Sequence, residues 1–437
     1  MTSILDARSI YWMSLHVIGC RRLAPHALSI VLCACLAAAA RDDSPVDVAA
    51  LITRADVRAA LDAASARAAE TTADQIRFCE IPAPPFKEQA RAAALAQAFR
   101  ALDLSNVRGD KAGNVLGDRP GRSDRPRLVL AAHLDTVFPQ TTPTRVIRNG
   151  STLRGPGIGD NCRGLAVLVS VARALRDAKV QTGGSLTFVA DVGEEGLGDL
   201  RGIREVFDKT LKDRVDAFVA IDGAGMYLAN VAVGSRRYRV TFKGPGGHAF
   251  ADFGTASPIY AMGRAIEKLS STQLPRQPTA TFNVGRVGGG TSVNAIAAES
   301  WMEVDLRSPD QATLAALDAS FRSLVDQAVS EENARWNTPR AVTVEMSVVG
   351  DRPAGLTPPE SGIVRTALGA ARALHLTVPL AESSTDANVP TQLKIPAIAI
   401  GAGGSGARAH TPNETFDTVK GADGIGFAVL LAIALSR

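Results

Sequence analysis

Apolar and polar positions along residues 45–235 alternate between helical spacing and short apolar runs. The run Leu128–Ala132 is typical of a strand that is buried on both faces of a parallel sheet. By the same criteria we predict helices at Val46–Glu70, Lys87–Leu102 and Gly164–Ala178, and further strands at Ser185–Val192 and Ala217–Asp222. Strands and helices in this order predict an α/β domain whose sheet is mostly parallel and covered on both faces.

The pattern changes near Arg236, where apolar and polar residues begin to alternate at strand spacing. We predict strands at 237–244, 279–289, 298–307 and 343–350, with helices at Ser257–Ser270 and Asp310–Glu331. This β-α-β-β-α-β order is ferredoxin-like and predicts a four-stranded antiparallel sheet. The α/β pattern then returns with a helix at Ser361–Leu374, a strand at 395–403 and a helix at Gly424–Leu435. We therefore predict one α/β domain, 45–235 and 351–437, interrupted by an inserted domain at 236–350.

The first forty residues have a different composition from the rest of the chain. Arg21 and Arg22 precede the apolar run Ala27–Ala40, and a polar segment follows. A positive flank, a short apolar core and small residues are typical of a secretory signal peptide, and this run is too short to span a bilayer. We expect export to the periplasm or the medium, with cleavage after the alanine run or lipid attachment at Cys35. The alternatives are a membrane tether and an upstream extension with the true start at Met13.

Composition and charge exclude some classes of protein. A chain of 437 residues, 46% hydrophobic and 21% charged, has the composition of a globular protein with about two domains. The net charge of +4 comes without a basic cluster, which argues against a nucleic-acid partner. After the leader only Cys79 and Cys162 remain, so no disulfide framework is expected.

Polar residues with metal-binding side chains follow the predicted strands of the α/β domain, at the sheet edge where such folds bind ligands. They are His133, Asp135, Asp160, Glu194, Glu195, Asp222 and His410. Singly, a strand-end histidine is more often structural, and a Glu-Glu-Gly sequence is more often a solvated loop. Together, five carboxylates at one edge repel one another unless cations neutralise them. Two imidazoles beside carboxylates suit zinc better than magnesium, and the number of ligands fits two ions with an open water position.

These motifs resemble the dinuclear zinc hydrolases that include peptidase T, glutamate carboxypeptidase and aminoacylase. The resemblance covers nearly all of the chain after residue 45. It implies that Asp160 bridges two zinc ions, that His133 and Asp222 complete one site, and that Glu195 and His410 complete the other. It also implies that Asp135 orients His133 and that Glu194 is the general base for the water between the ions. Cys162 stands where the family usually has a lysine, so its thiolate is a candidate for zinc binding or oxidation.

The resemblance extends to the insert, which in the family is a lid and dimerisation domain. The loop Lys243–His248 resembles the family's lid loop, in which the histidine reaches the partner subunit's site and holds the scissile carbonyl oxygen. Asn294 and Arg307 match substrate contacts, and the guanidinium of Arg307 suits a substrate carboxylate. The alternatives are a solvated histidine in a glycine loop and, for Arg307, an ion pair on a strand face. A homodimer through the insert is implied.

The sequence therefore predicts an exported, zinc-dependent exopeptidase that hydrolyses amide bonds of short peptides, with Glu194 as general base. An N-acyl amino acid deacylase with the same dinuclear site is the alternative within this chemistry. A different class is a metal-binding or scaffold protein without turnover. Glu194 argues against that class, since a protein that only binds metal has no use for a base there.

Overall fold

The computed structural model describes residues 45–336 and 340–437. The predicted signal peptide of residues 1–40 lies outside these residues, and so does Cys35. No helix in the described part of the chain is long and apolar enough to cross a membrane.

The first part of the described chain contains both helices and strands. The first elements are α1 (Val48–Leu51), α2 (Ala55–Ala66), α3 (Ala68–Cys79), α4 (Gln89–Ala101), β1 (Ser105–Gly109), β2 (Val115–Arg119), β3 (Arg127–His133), β4 (Ile147–Asn149), β5 (Thr152–Arg154), α5 (Cys162–Asp177), β6 (Ser185–Asp191), α6 (Arg201–Glu205), β7 (Ala217–Ile221) and β8 (Leu228–Ala232).

The amino-terminal helix differs from its prediction. A single helix over Val46–Glu70 is wrong, because the chain breaks at Arg54 and again at Arg67 and then stays helical to Cys79. Glu70, where the predicted helix ends, is followed by Thr71 and Thr72. In the structure the hydroxyls of these threonines bond back to carbonyls one turn earlier, so the helix continues through them.

The inserted segment forms its own antiparallel sheet. Its elements are β9 (Gly234–Lys243), β10 (Gly247–His248), α7 (Pro258–Ser270), β11 (Thr281–Gly289), β12 (Ala295–Ile296), β13 (Glu299–Ser308), α8 (Gln311–Trp336) and β14 (Thr343–Arg352). The strand order within the described residues is β11-β13-β9-β14, and every pair is antiparallel. Tyr238, Val240 and Phe242 alternate along β9 and pack against the two helices in a separate apolar cluster. The ferredoxin-like order is thus present, while the domain boundaries at 236 and 350 stay a prediction.

The chain then returns to the main sheet. The remaining elements are β15 (Gly355–Leu356), α9 (Gly362–Ala373), β16 (Leu380–Ser383), α10 (Asn388–Gln392), β17 (Ala397–Ile400), β18 (Ser405–Ala407), β19 (Thr415–Asp417) and α11 (Gly421–Leu435). In the described residues the main sheet has the order β1-β2-β6-β3-β7-β17-β8-β15, with β16 on β8. Its centre, β6-β3-β7-β17, is parallel, and antiparallel strands form its margins. The predicted mixed α/β fold with a mostly parallel central sheet is confirmed.

Helices cover both faces of this sheet. On one face α5 and α11 are buried along most of their length, and α2, α3 and α9 pack over them. On the other face α6 and the π-helical turn Val206–Thr210 place Ile203 and Phe207 against Phe218 of β7. Each fully buried side chain of this size stabilises the fold by about 1.5–3 kcal/mol relative to exposure. These two apolar layers hold the central strands, and therefore the carboxyl-terminal edge of the sheet, in place.

Candidate metal centre

The predicted ligands come together at the carboxyl-terminal edge of the parallel strands. His133 is the last residue of β3, and Asp222 directly follows β7. Glu195 lies in the loop after β6, and Asp160 lies just before α5. His410 comes from the hairpin between β18 and β19, which belongs to a small second sheet with β5 and β4. Parallel strands end at the same edge, so residues far apart in sequence become neighbours here.

The side chains form two groups that share Asp160. Oδ1 of Asp160 lies 3.1 Å from Nε2 of His133, and Oδ2 of Asp160 lies 3.1 Å from Nε2 of His410. Asp222 joins the first group, with Oδ1 at 3.5 Å from the His133 nitrogen. Glu195 joins the second, with Oε1 at 3.3 Å from the His410 nitrogen. Within each group the candidate ligand atoms lie within 4.8 Å of one another, as two ions bridged by one carboxylate require.

The electrostatics of the cluster fit positive ions. Burial raises the pKa of Glu195 to about 7, because removal from water disfavours the charged form of a carboxyl group. Hydrogen bonds that the His410 imidazole donates to the carboxylates of Asp160 and Glu195 raise the pKa of this histidine to about 10. Burial opposes a charge on His133, yet the three facing aspartates still raise its pKa well above the ordinary range. The carboxylates thus favour positive charge at this place, and imidazole with carboxylate oxygen is a donor set for zinc-class dications.

Glu414 holds the loop that carries Asp160. Its Oε1 accepts hydrogen bonds from the N–H groups of Gly159 and Asp160, at 2.8 and 2.9 Å, and its Oε2 accepts from Gly157 at 3.1 Å. A Cβ atom on Gly159 would lie 2.9 Å from Oε1, so the contact leaves no room for a side chain. Sequence reasoning missed this role, because the partners are more than 250 residues apart. The only sequence signal is a carboxylate four residues after His410.

Asp135 is buried within the site, but its contacts differ from the prediction. Its carboxylate lies 3.6 Å from Nδ1 of His133, whereas that nitrogen lies 3.1 Å from the backbone carbonyl of Asp135. The two carboxylate oxygens instead accept the backbone N–H groups of Glu194 and Glu195, at 3.0 and 2.8 Å. Asp135 therefore anchors the paired glutamates at least as directly as it orients His133.

Cys162 does not join the ligand groups. Its side chain is fully buried in an apolar cluster with Cys79, Leu153, Ile158 and Phe416. Among the described residues, the groups able to hold a metal do not include it. The structure therefore places this thiol outside the candidate ligand groups, and its zinc binding or oxidation stays a prediction. Cys162 is the first residue of α5, and its side chain packs in this apolar cluster.

The buried thiols yield a direct chemical test. In the folded protein, we expect iodoacetamide to leave Cys79 and Cys162 unmodified, with and without a chelator, because neither thiol is exposed. In denaturant both should be alkylated, and peptide mass spectrometry reads each site separately. If a chelator accelerates alkylation of Cys162 but not of Cys79, the thiol reaches the ions and the placement described above is wrong.

The insert brings two of its predicted residues together. Strands β10 and β12 pair so that His248 lies opposite Ala295, beside Asn294. Both His248 and Asn294 are exposed. Backbone N–H groups of Phe250 and Ala251 point at Nδ1 of His248, at 3.3 and 3.2 Å. Nδ1 then accepts these bonds, and the ring proton is assigned to Nε2, where it is free to be donated.

Arg307 lies at the other end of the insert's sheet. It pairs with Ser235 of β9, whereas His248 lies beyond the opposite end of that strand. Its Nε donates to Asp305 at 2.6 Å, which is the ion pair on a strand face given above as the alternative. Asp305 also accepts from Arg237, and Arg237 donates to the carbonyl of Gly196, directly after Glu195. Arg307 is thus linked to the glutamate loop through a short network.

Glu194 has a partner that the sequence did not indicate. The Arg352 guanidinium donates from Nη1 to Oε1 of Glu194 at 2.7 Å and from Nη2 to the Glu194 carbonyl. Both side chains are buried. Burial raises the pKa of Glu194, although Arg352 acts in the opposite direction. Nothing in the residues around Arg352 indicates this contact, since the two positions are 158 residues apart.

A parallel sheet whose edge carries two ligand groups with one shared aspartate is the architecture of a dinuclear metallohydrolase. The chain belongs to peptidase family M20/M25/M40, whose family model matches residues 129–435. The predicted family is therefore confirmed, and with it the class of hydrolase.

Similar proteins agree with this assignment. The chain is 25% identical over 266 residues to carboxypeptidase G2 of Pseudomonas sp. (strain RS-16), covering 58% of this chain and 60% of that protein. It is 25% identical over 250 residues to N-acetylcysteine deacetylase of Bacillus subtilis, covering 54% and 60%. The matches thus span about three fifths of these relatives' length.

Solved structures share the fold. The aminopeptidase PepT from Bacillus cereus superposes with a TM-score of 0.68 at 20% identity, over 85% of this chain and 99% of that one. A dinuclear metal binding peptidase of Bacillus subtilis, YXEP, superposes with a TM-score of 0.62 at 17% identity, over 85% and 99%. At these identities the likeness concerns the fold.

Proposed function

We propose that the chain is a zinc-dependent exopeptidase that hydrolyses amide bonds of short peptides. The observation that supports it most is the pair of ligand groups sharing Asp160, with the buried carboxylate of Glu194 beside them. A protein that only stores or senses metal needs no such carboxylate. The export predicted from residues 1–40 is part of the proposal and rests on the sequence alone.

The chemistry assigns separate roles to the chain's own residues. Two bound zinc ions would lower the pKa of a shared water and polarise the substrate carbonyl. His133, Asp160 and Asp222 would hold one ion, and Asp160, Glu195 and His410 the other. Glu194 accepts the proton of the attacking water and returns it to the leaving amine, since it is buried next to both groups. Asp135 fixes the two glutamates through their backbone N–H groups.

The insert supplies the substrate contacts in this proposal. In a homodimer through the insert, the partner subunit's His248 donates its Nε2 proton to the carbonyl oxygen, where negative charge develops. Asn294 lies beside this histidine and hydrogen-bonds the same part of the substrate. Arg307 binds a substrate carboxylate after exchanging its present partner, Asp305.

An N-acyl amino acid deacylase is the second candidate. It is supported by the similarity to a protein named N-acetylcysteine deacetylase. Both reactions break an amide bond with the same groups, so the ligand geometry does not separate them. The difference lies in what the insert recognises on either side of the scissile bond.

Hydrolysis of a mixed library tests the proposal. The zinc-loaded full chain is incubated with dipeptides, tripeptides and N-acyl amino acids, each with a free or an amidated carboxyl terminus, and products are read by mass spectrometry. We expect cleavage of short peptides with a free carboxylate, because Arg307 offers a planar donor pair for it. Arg307→Ala should lower kcat/KM for these substrates about tenfold, or about 1.4 kcal/mol, since the arginine is partly exposed and already paired.

Arg286→Ala is the matched control, since Arg286 is an exposed arginine of the same sheet that pairs with Glu303. It should leave kcat/KM unchanged. A preference for N-acyl amino acids over all di- and tripeptides would move the assignment to the deacylase. Equal losses for amidated and free substrates in Arg307→Ala would show that this arginine is structural. No hydrolysis of any amide in the library would reject both candidates.

A further inference from the structure

The carboxylate of Glu194 lies close enough to the candidate ligands to bind a metal ion itself. One of its carboxylate oxygens lies within 4.8 Å of ligand atoms of both His133 and Glu195, so these three residues form a metal-binding group of their own. A carboxylate that coordinates an ion has its lone pairs engaged and no longer serves well as a base. Something must therefore keep Glu194 from turning onto an ion.

Arg352 meets that requirement by its geometry. Its guanidinium contacts Glu194 at two atoms, the carboxylate Oε1 at 2.7 Å and the backbone carbonyl. A planar fork bound to both ends of one residue fixes its backbone and its side-chain direction together, which a single-point contact would not do. Nη1 also donates to Ser384 at 3.2 Å, so the arginine itself is held.

Arg352 reaches the site from the end of a strand of the insert's sheet, just after the predicted boundary at 350. It is the last residue of β14 and pairs there with Ser235 at the start of β9. The chain passes from the main sheet to the insert's sheet near Gly234 and returns near Ala354. These two segments pack closely, since a Cβ atom on Gly234 would lie 2.6 Å from the backbone nitrogen of Ala354. Neighbouring contacts tie the same place to the glutamate loop, because the N–H of Asp351 donates to Asp199 at 2.9 Å.

We propose that Arg352 is a positioning residue, which holds the Glu194 carboxylate out of the metal coordination shell and so keeps it available as the base. The inference rests on the proposed function, in which Glu194 is that base. It assigns the insert a task inside its own chain's site, in addition to any contact across a dimer.

Substitution of Arg352 tests this inference by activity and by spectroscopy. Arg352→Gln should lower kcat by about 10²-fold while KM changes by less than about threefold, because the base and not the substrate site is disturbed. Arg352→Lys keeps the buried charge but not the fork, and should recover only part of kcat. In the cobalt-substituted protein, Arg352→Gln should change the visible absorption spectrum, since Glu194 becomes a ligand.

The spectral change must vanish when Glu194 is removed. In a Glu194→Gln background, adding Arg352→Gln should alter neither the cobalt spectrum nor the residual kcat. Arg204→Gln is the matched control, because Arg204 donates to the carbonyls of Asp199 and Asp351 at the same junction. It should behave as the parent protein. If Arg352→Gln fails to fold, the lysine variant carries both readouts.

The outcomes separate this inference from the proposed function. An unchanged cobalt spectrum in both Arg352 variants, or a rise in KM at constant kcat, overturns the positioning role while Glu194→Gln remains inactive. Full activity of Glu194→Gln would instead overturn the assignment of the base and, with it, the proposed function.

Discussion

Turnover should be lost when the metals are removed, and Asp160→Asn should produce the same loss without a chelator. Asp160 faces both histidines, through different oxygens at 3.1 Å each. Removing its charge weakens both groups at once. Elemental analysis of the purified protein should find about two zinc-class ions per chain, and clearly fewer in the variant. Readdition of zinc should restore activity to the chelated parent protein but not to Asp160→Asn.

Asp318→Asn is a suitable control for this experiment. Asp318 is a largely buried carboxylate in helix α8, which packs on the insert's own sheet, and it pairs with arginines. It should keep its metal content and its activity. Full activity of metal-free parent protein would contradict the dinuclear mechanism altogether.

The two adjacent glutamates should respond differently to the same chemical change. Glu194→Gln should keep both ions and the fold but lose about 10²–10⁴-fold in kcat, which is about 3–5 kcal/mol of transition-state stabilisation. Glu195→Gln should lose or weaken one ion, because its carboxylate faces His410 at 3.3 Å. Metal content and kcat, measured on both variants, distinguish the role of Glu194 as base from the role of Glu195 as metal ligand.

Each variant serves as the control for the other, since the substitutions are isosteric and adjacent. Both carboxylates are buried beside Asp135, which binds their backbone N–H groups. General disturbance of the loop would therefore affect the two variants alike. Identical metal contents and identical losses in kcat would show that the division of roles is wrong.

The sequence predicts where the candidate ligands gather, because the rule that places them is local. His133 and Asp222 each follow a recognisable apolar strand, and the carboxyl ends of parallel strands meet at one edge. The same reasoning misplaced Cys162, since adjacency to Asp160 in sequence says nothing about which way a side chain points at the start of a helix. There the first residue of α5 turns into the apolar layer.

The sequence did not predict the roles of Arg352 and Glu414, and the reason is physical. Arg352 and Glu414 act on groups 158 and more than 250 residues away, and neither lies in a motif with a fixed spacing. Their roles come from chain packing. The continuation of α3 to Cys79 was not predicted either, and there the contacts are local, since the hydroxyls of Thr71 and Thr72 bond to carbonyls one turn earlier.

The contacts of Glu414 and His410 with the Asp160 loop determine when the second group of ligands can form during synthesis. Glu414 and His410 belong to the last part of the chain, whereas Asp160, which they contact, is made much earlier. A growing chain on the ribosome therefore has no complete second group of ligands until the segment that carries His410 and Glu414 has emerged and joined the small sheet. A second ion would therefore bind only after the segment that carries His410 and Glu414 has joined the fold, because binding needs a formed site.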